Sequence, residues 1–145
     1  SLSKVDRYIL VLGGLYAAVA FFYVLFDKLA INYRPVLLSQ EPAPSYPSSH
    51  TLLAVTVFLS AVLLERRGRN SRAGLFEYCL WVCAILLVVS RFMSGVHWAT
   101  DILAGLLFSG ALLCWFELAL DQLAPVSKKT AAKGRAERHS EKTTR

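Results

Sequence analysis

Four apolar stretches, at about 8–26, 50–64, 75–90 and 98–120, decide most of what this chain can fold into. The first is long enough by itself to cross a hydrocarbon core of roughly 30 Å, and the others reach spanning length once flanking helical residues are counted. Amphipathic helices of soluble proteins carry a polar stripe, and these segments do not. A buried helical bundle of a soluble protein is the alternative, which the short second stretch would permit. Composition decides against it. With 55% apolar residues and a mean hydropathy of +0.46, a chain of 145 residues has more apolar surface than one small core can bury. Gly, Ala, Ser and Cys within the stretches suit helices that pack against one another in lipid. The expected architecture is an all-α transmembrane bundle over residues 1–126, with spans at about 8–26, 48–65, 75–92 and 97–121.

Charge placement gives that bundle an orientation. Lys4 and Arg7 precede the first span, Arg66, Arg67, Arg69 and Arg72 fill the connection between the second and third, and seven Lys or Arg follow Pro125. Four spans put those three segments on one side, which the positive-inside rule makes cytoplasmic. Lys28, Arg34 and Arg91 fall on the opposite side, so topology does not account for them. Residues 127–145 have almost no large apolar side chain and read as a disordered basic tail near the anionic inner leaflet. Such a run also fits nucleic acid, but polybasic juxtamembrane ends are common, and no nucleic-acid partner is assigned. Cys79, Cys83 and Cys114 lie inside spans and read as packing residues. Their odd number, with no His partner nearby, points away from a metal site.

Polar residues collect in two places. Residues 27–47 hold four of the five prolines, which makes this segment a structured loop over the outer surface. It ends in Pro47-Ser48-Ser49-His50, directly before an apolar run. Serines at that junction read as helix caps, and a helix beginning there aims free N–H groups and a positive dipole end outward, at a place suited to an anion. The second place is Ser90-Arg91-Phe92-Met93-Ser94-Gly95-Val96-His97-Trp98-Ala99-Thr100-Asp101. A helix starting near His97 puts His97 and Asp101 on one face, with the carboxylate holding an imidazole nitrogen. Ser94 and Gly95 let the chain turn so that Arg91 comes back over the same cavity. Singly, His50 reads as a helix-end histidine, Arg34 as an interfacial anchor and Asp101 as a cap. Together they are costly at membrane depth, about 2.5–3.5 kcal/mol for an Arg or Asp at mid-bilayer, and a functional site is the default reading.

These residues resemble a known family. Arg34-Pro35, then Pro47-Ser48-Ser49-His50, then Ser90-Arg91 with His97 and Asp101 at fixed spacing, are similar to the three motifs of the type-2 phosphatidic-acid phosphatase superfamily, in its membrane branch. Ser49 stands where Gly is usual. The first motif departs more: the position seven before Arg34 is Asp27 where the family has Lys, and Lys28 is one step later. Family members of this branch usually have six spans with two before the first motif's helix. This chain shows one, and a missing amino-terminal portion accounts for that and for the absent initiator methionine, making the chain the carboxy-terminal part of a six-helix fold.

The resemblance implies a membrane phosphatase acting on lipid phosphate or pyrophosphate headgroups. On that reading His97 is the nucleophile that forms a phosphohistidine, Asp101 fixes its tautomer, and His50 is the general acid. Arg34, Arg91, Ser49, Ser48 and Lys28 hold the phosphoryl oxygens, and no metal or cofactor is needed. Family analogy favours undecaprenyl pyrophosphate, with phosphatidate and phosphatidylglycerol phosphate also open, in a bacterial cytoplasmic membrane with the site on the extracytoplasmic face. A lipid phosphotransferase with the same site, a non-catalytic transport or assembly subunit, and a soluble vanadate-binding haloperoxidase are the competing readings. Four spans argue against the last. Oligomeric state is not readable.

Overall fold

The computed structural model describes residues 2–36, 42–68 and 73–123. The expected tail at 127–145, and Arg69 and Arg72, lie outside the described residues. Four α-helices follow one another: α1 (Leu2–Leu29), α2 (Ser49–Gly68), α3 (Ala73–Met93) and α4 (Ala99–Leu123). Each contains a stretch of 19 to 25 residues long and apolar enough to cross a membrane, and the protein is an integral membrane protein. Alternation along the chain brings the end of α1, the start of α2, the end of α3 and the start of α4 to one end of the bundle.

Helix ends differ from the expected spans at several places, among them the starts of α1 and α4. α1 reaches back to Leu2, ahead of the apolar stretch that begins at about residue 8. α4 begins at Ala99 and not near His97. Gly95, at φ +65°, turns the chain after α3 as expected, and the connection stays irregular through Trp98. The first turn of α4 is closed by Asp101, whose Oδ2 accepts the Trp98 backbone N–H at 3.1 Å. That is half of a capping box, a carboxylate at the third helical position reaching back to the cap residue.

α2 and α4 form the tightest seam. A Cβ placed on Gly105 of α4 would stand 3.0 Å from the carbonyl oxygen of Ser48 and 3.1 Å from the Thr51 Cβ. Glycine therefore sets how close the two backbones come. The seam is polar for an intramembrane contact. Ser109 Oγ donates within reach of the Leu52 and Gly105 carbonyls, at 3.1 and 2.7 Å, and the Ser48 N–H donates to the Asp101 carbonyl at 3.0 Å. Ser48 and Thr51 are buried along it, and further along α2 Thr56 and Ser60 are buried as well, with Ser60 Oγ 3.2 Å from the Tyr16 hydroxyl of α1.

α1 joins the bundle chiefly through α4, where Leu15, Phe116 and Leu120 are fully buried and Phe22 and Phe26 meet Phe108 at ring-centroid distances of 5.5 and 5.2 Å. α3 packs on α2 and exposes Leu75, Phe76, Tyr78, Ile85, Leu86 and Phe92 outward. Such a surface is untenable in water and ordinary against lipid. At the far end of the bundle Arg66 pairs with Glu77, and Arg67 reaches Asp121 at 2.6 Å. These two pairs lie opposite the end that holds His97, Lys28, Arg34 and Arg91.

Candidate active site

The loop after α1 is folded back on itself by a short antiparallel ladder. Arg34 N–H donates to the Ala43 carbonyl at 3.1 Å, and Ser45 N–H to the Asn32 carbonyl at 2.8 Å, around an isolated bridge between Tyr33 and Pro44. One ladder therefore fixes both Arg34 and Ser45. Arg34 Nε also approaches the Pro44 carbonyl, at 3.5 Å. Trp98 Nε1 donates to the Tyr33 carbonyl at 2.9 Å and ties the α3–α4 connection onto this loop.

The two connections and the start of α2 enclose a cavity of about 130 Å3, with Asp27, Arg34, Ser45, Ser49, His50 and His97 in its wall. His97 is 6% exposed. Its Nδ1 lies 3.1 Å from the Ser45 carbonyl oxygen, an acceptor, so Nδ1 carries the proton and donates it. Nε2 then bears the free lone pair, and it has no hydrogen-bond partner among the described residues.

This corrects the expectation for Asp101. Its Oδ2 stands 3.8 Å from Nδ1, too far for a hydrogen bond, because His97 precedes the helix and is not on the same helical face. Asp101 is fully buried and caps α4, and the orienting acceptor is a backbone carbonyl instead. Sequence reasoning missed Ser45, since a carbonyl acceptor is present at every position and only the fold selects one.

Electrostatics at His97 are mixed. Burial, and then the positive charge of Arg34, push its pKa below the usual histidine range, and His50 adds to this. The Ser45 carbonyl and the Asp101 carboxylate oppose it. The balance favours the neutral ring near pH 7.

His50 lies on the first turn of α2 and is exposed, within electrostatic reach of Arg91 and Arg34. Arg91 sits in the last turn of α3, where a cation is favoured by the helix dipole, and its buried Nε is unpartnered among the described residues. Ser49 borders the cavity. Ser48 does not: it is fully buried, its N–H is taken by Asp101 and its Oγ accepts from Thr51 Oγ1 at 3.1 Å, so it stands behind the wall. Lys28 is exposed and absent from the wall, where its neighbour Asp27 appears. One residue is about 100° of helix rotation, enough to turn Lys28 aside.

The arrangement is an anion-sized pocket with an oriented imidazole, a second imidazole and a guanidinium at the N-terminus of a helix. A family model of the PAP2 superfamily matches residues 10–123. The chain belongs to the PAP2 superfamily. Among curated PAP2-like relatives, an undecaprenyl-diphosphatase of Sulfolobus acidocaldarius is 28% identical over 109 residues, covering 73% of this chain and 49% of the relative. A lipid A 1-phosphatase of Rhizobium etli is 34% identical over 74 residues, covering 51% of this chain and 27% of the relative. The match therefore spans about half the length of the first relative and about a quarter of the second. No solved structure matches the chain.

Proposed function

We propose that this PAP2 protein is a lipid phosphatase that hydrolyses phosphate or pyrophosphate headgroups through His97. The observation that carries the reading is the state of that imidazole: Nδ1–H is engaged by the Ser45 carbonyl and Nε2 is left without a partner, in the wall of a cavity shared with Arg34, Ser49 and His50. A neutral, oriented ring with one free lone pair is what nucleophilic attack on phosphorus requires.

In the first step Nε2 forms a bond to phosphorus while the bond to the leaving oxygen breaks. His50, as imidazolium, gives that oxygen a proton. In the second step neutral His50 takes a proton from water as the water oxygen attacks the phosphohistidine, which restores Nε2 and releases phosphate. Arg34, Ser49 and the first N–H groups of α2 hold the equatorial oxygens, and Arg91 adds positive charge beside His50. Phosphoryl transfer depends mainly on such positioning and charge, so guanidinium groups can serve in place of a metal ion. Asp101 acts through the connection it caps and through its charge near the developing His97 cation. Ser48 positions α2 against α4, and Lys28 contributes charge at the same end of the bundle without bordering the cavity.

The substrate class follows from where the cavity lies, at the ends of apolar helices where a headgroup meets water while its hydrocarbon stays in lipid. A lipid pyrophosphate of the undecaprenyl kind is the first candidate, supported by the relative of that name, with phosphatidate second. The cavity end lies opposite the Arg66 and Arg67 end, which by the positive-inside rule makes it extracytoplasmic.

Phosphate release from a panel of lipid phosphates and pyrophosphates in detergent tests the proposal. The wild-type protein is expected to release phosphate in the presence of a chelator, and His97→Ala to lose about 10⁴-fold or more in rate. Full activity in His97→Ala would remove the mechanism, and chelator-sensitive release would remove its metal-free form.

A further inference from the structure

On the side of α1 and α2 the anion cavity adjoins a second, larger hollow. This furrow, of about 400 Å3, is almost wholly apolar, with Tyr16, Val19, Ala20 and Leu53 in its walls. Tyr23, Ser49, His50 and Leu52 border both spaces, so the two adjoin across these side chains. The furrow exists because α1 packs along α4 and touches α2 only briefly. Tyr23 and Leu53 are 53% and 52% exposed, which leaves its side open to the surface that faces lipid. Its size falls within the usual range of pockets for small organic ligands. Another apolar furrow, of about 220 Å3 among Val55, Leu59, Trp81, Ile85 and Leu106, shares no wall residue with the anion cavity.

We propose that the α1–α2 furrow seats the hydrocarbon chain bonded to the reacting phosphate, with Ala20 and Leu53 setting its width. The inference rests on the lipid-phosphatase reading and names the part of the molecule that selects its substrate. A chain leaving the bilayer for this furrow exchanges one apolar surrounding for another, so burial adds little driving force. What the furrow supplies is orientation. It fixes the direction of the first segment of chain, and with it the phosphorus relative to His97 Nε2, so contacts remote from the chemistry raise the rate.

Two measurements decide the matter. In the first, Ala20→Trp fills the furrow and is assayed on a long-chain polyprenyl diphosphate in detergent and on water-soluble phenyl phosphate. The expected result is a fall of at least tenfold in kcat/KM for the polyprenyl substrate, with phenyl phosphate within twofold of wild type. Equal losses on both substrates, or none on either, overturn the proposal.

The second uses wild-type protein and so does not depend on the folding of a variant. A polyprenyl phosphate with a photoreactive group near the phosphate is expected to label residues 16–23 and 49–53. Label confined to 81–89 and 106, or excluded from α1 and α2 by a second copy or a further helix in the furrow, overturns it. Wild-type protein that releases no phosphate from either substrate counts against the phosphatase reading instead, and the labelling still decides whether the furrow takes the chain.

Discussion

His97 and His50 border one cavity and are held in opposite ways. His97 lies in an irregular connection, nearly inaccessible, with one nitrogen tied to the Ser45 carbonyl and a buried carboxylate 3.8 Å away. His50 stands on the first turn of α2 with an exposed ring, between the charges of Arg34 and Arg91. A nucleophile gains from a fixed tautomer and a fixed direction, while a group that exchanges protons with a leaving oxygen and then with water gains from access to solvent. On the proposed mechanism this difference suits the two rings to separate tasks, although both are histidines at the same end of the bundle.

The largest effect that sharpens this contrast is expected from His50→Ala. Loss of the proton donor lowers kcat/KM by about 10²–10⁴-fold on a lipid phosphate. That loss shrinks on an aryl phosphate with a good leaving group, which needs no proton, while kcat stays low on both because water attack on the phosphohistidine also uses His50. Measuring kcat/KM across leaving groups checks it, and an equal loss of kcat/KM on all of them would make His50 a binding residue.

Next in size is the seam that carries both rings. Gly105→Val puts carbon against the Ser48 carbonyl, a backbone atom that cannot swing away, and is expected to cost about 1–3 kcal/mol of stability. Because Ser48 N–H and the Asp101 carbonyl join α2 to α4 there, activity falls with thermal stability. Thermal unfolding in detergent, beside phosphate release, reads both. Unchanged stability would mean that the helices are not in contact at Gly105.

The smallest effects concern the pH profile. Burial and Arg34 hold the His97 pKa down, so the neutral ring that the proposed attack needs persists below the usual histidine range. Removing the cation in Arg34→Gln favours the protonated ring, raises that pKa and moves the acid limb of kcat/KM to higher pH. Asp101→Asn removes a carboxylate that favours the protonated ring, so its acid limb moves to lower pH. Shifts in the same direction would show that His97 does not set the limb.

Much of this was legible in the sequence because it depends on kinds of residue and their order. Four apolar runs without polar stripes, in a chain too apolar for one small core, read as helices in lipid, and Pro47-Ser48-Ser49-His50 before one of them marks a helix start wherever it folds. The turn at Gly95 was equally plain, since a residue without a Cβ tolerates φ +65°. What escaped was set by neighbours distant in the chain. Nothing local distinguishes the Ser45 carbonyl from any other, and it becomes the partner of His97 only through the ladder with Asn32. The spacing of four between His97 and Asp101 indicated a shared helical face, but the helix starts two residues after His97. Ser48 reads as a phosphate ligand by its type, yet its N–H and Oγ are already used by Asp101 and Thr51. Asp27, not Lys28, borders the cavity because of how α1 is rotated in the bundle.

The central claim is that phosphorus becomes bonded to His97 Nε2 during turnover. Rapid mixing with a phosphorus-labelled lipid substrate, quenching in alkaline denaturant and mapping of the labelled peptide test it directly. The account predicts acid-labile, alkali-stable label on His97, absent from His97→Ala and longer-lived in His50→Ala. Label on another residue, or steady turnover with no trapped phosphoenzyme in either the wild type or His50→Ala, would contradict it.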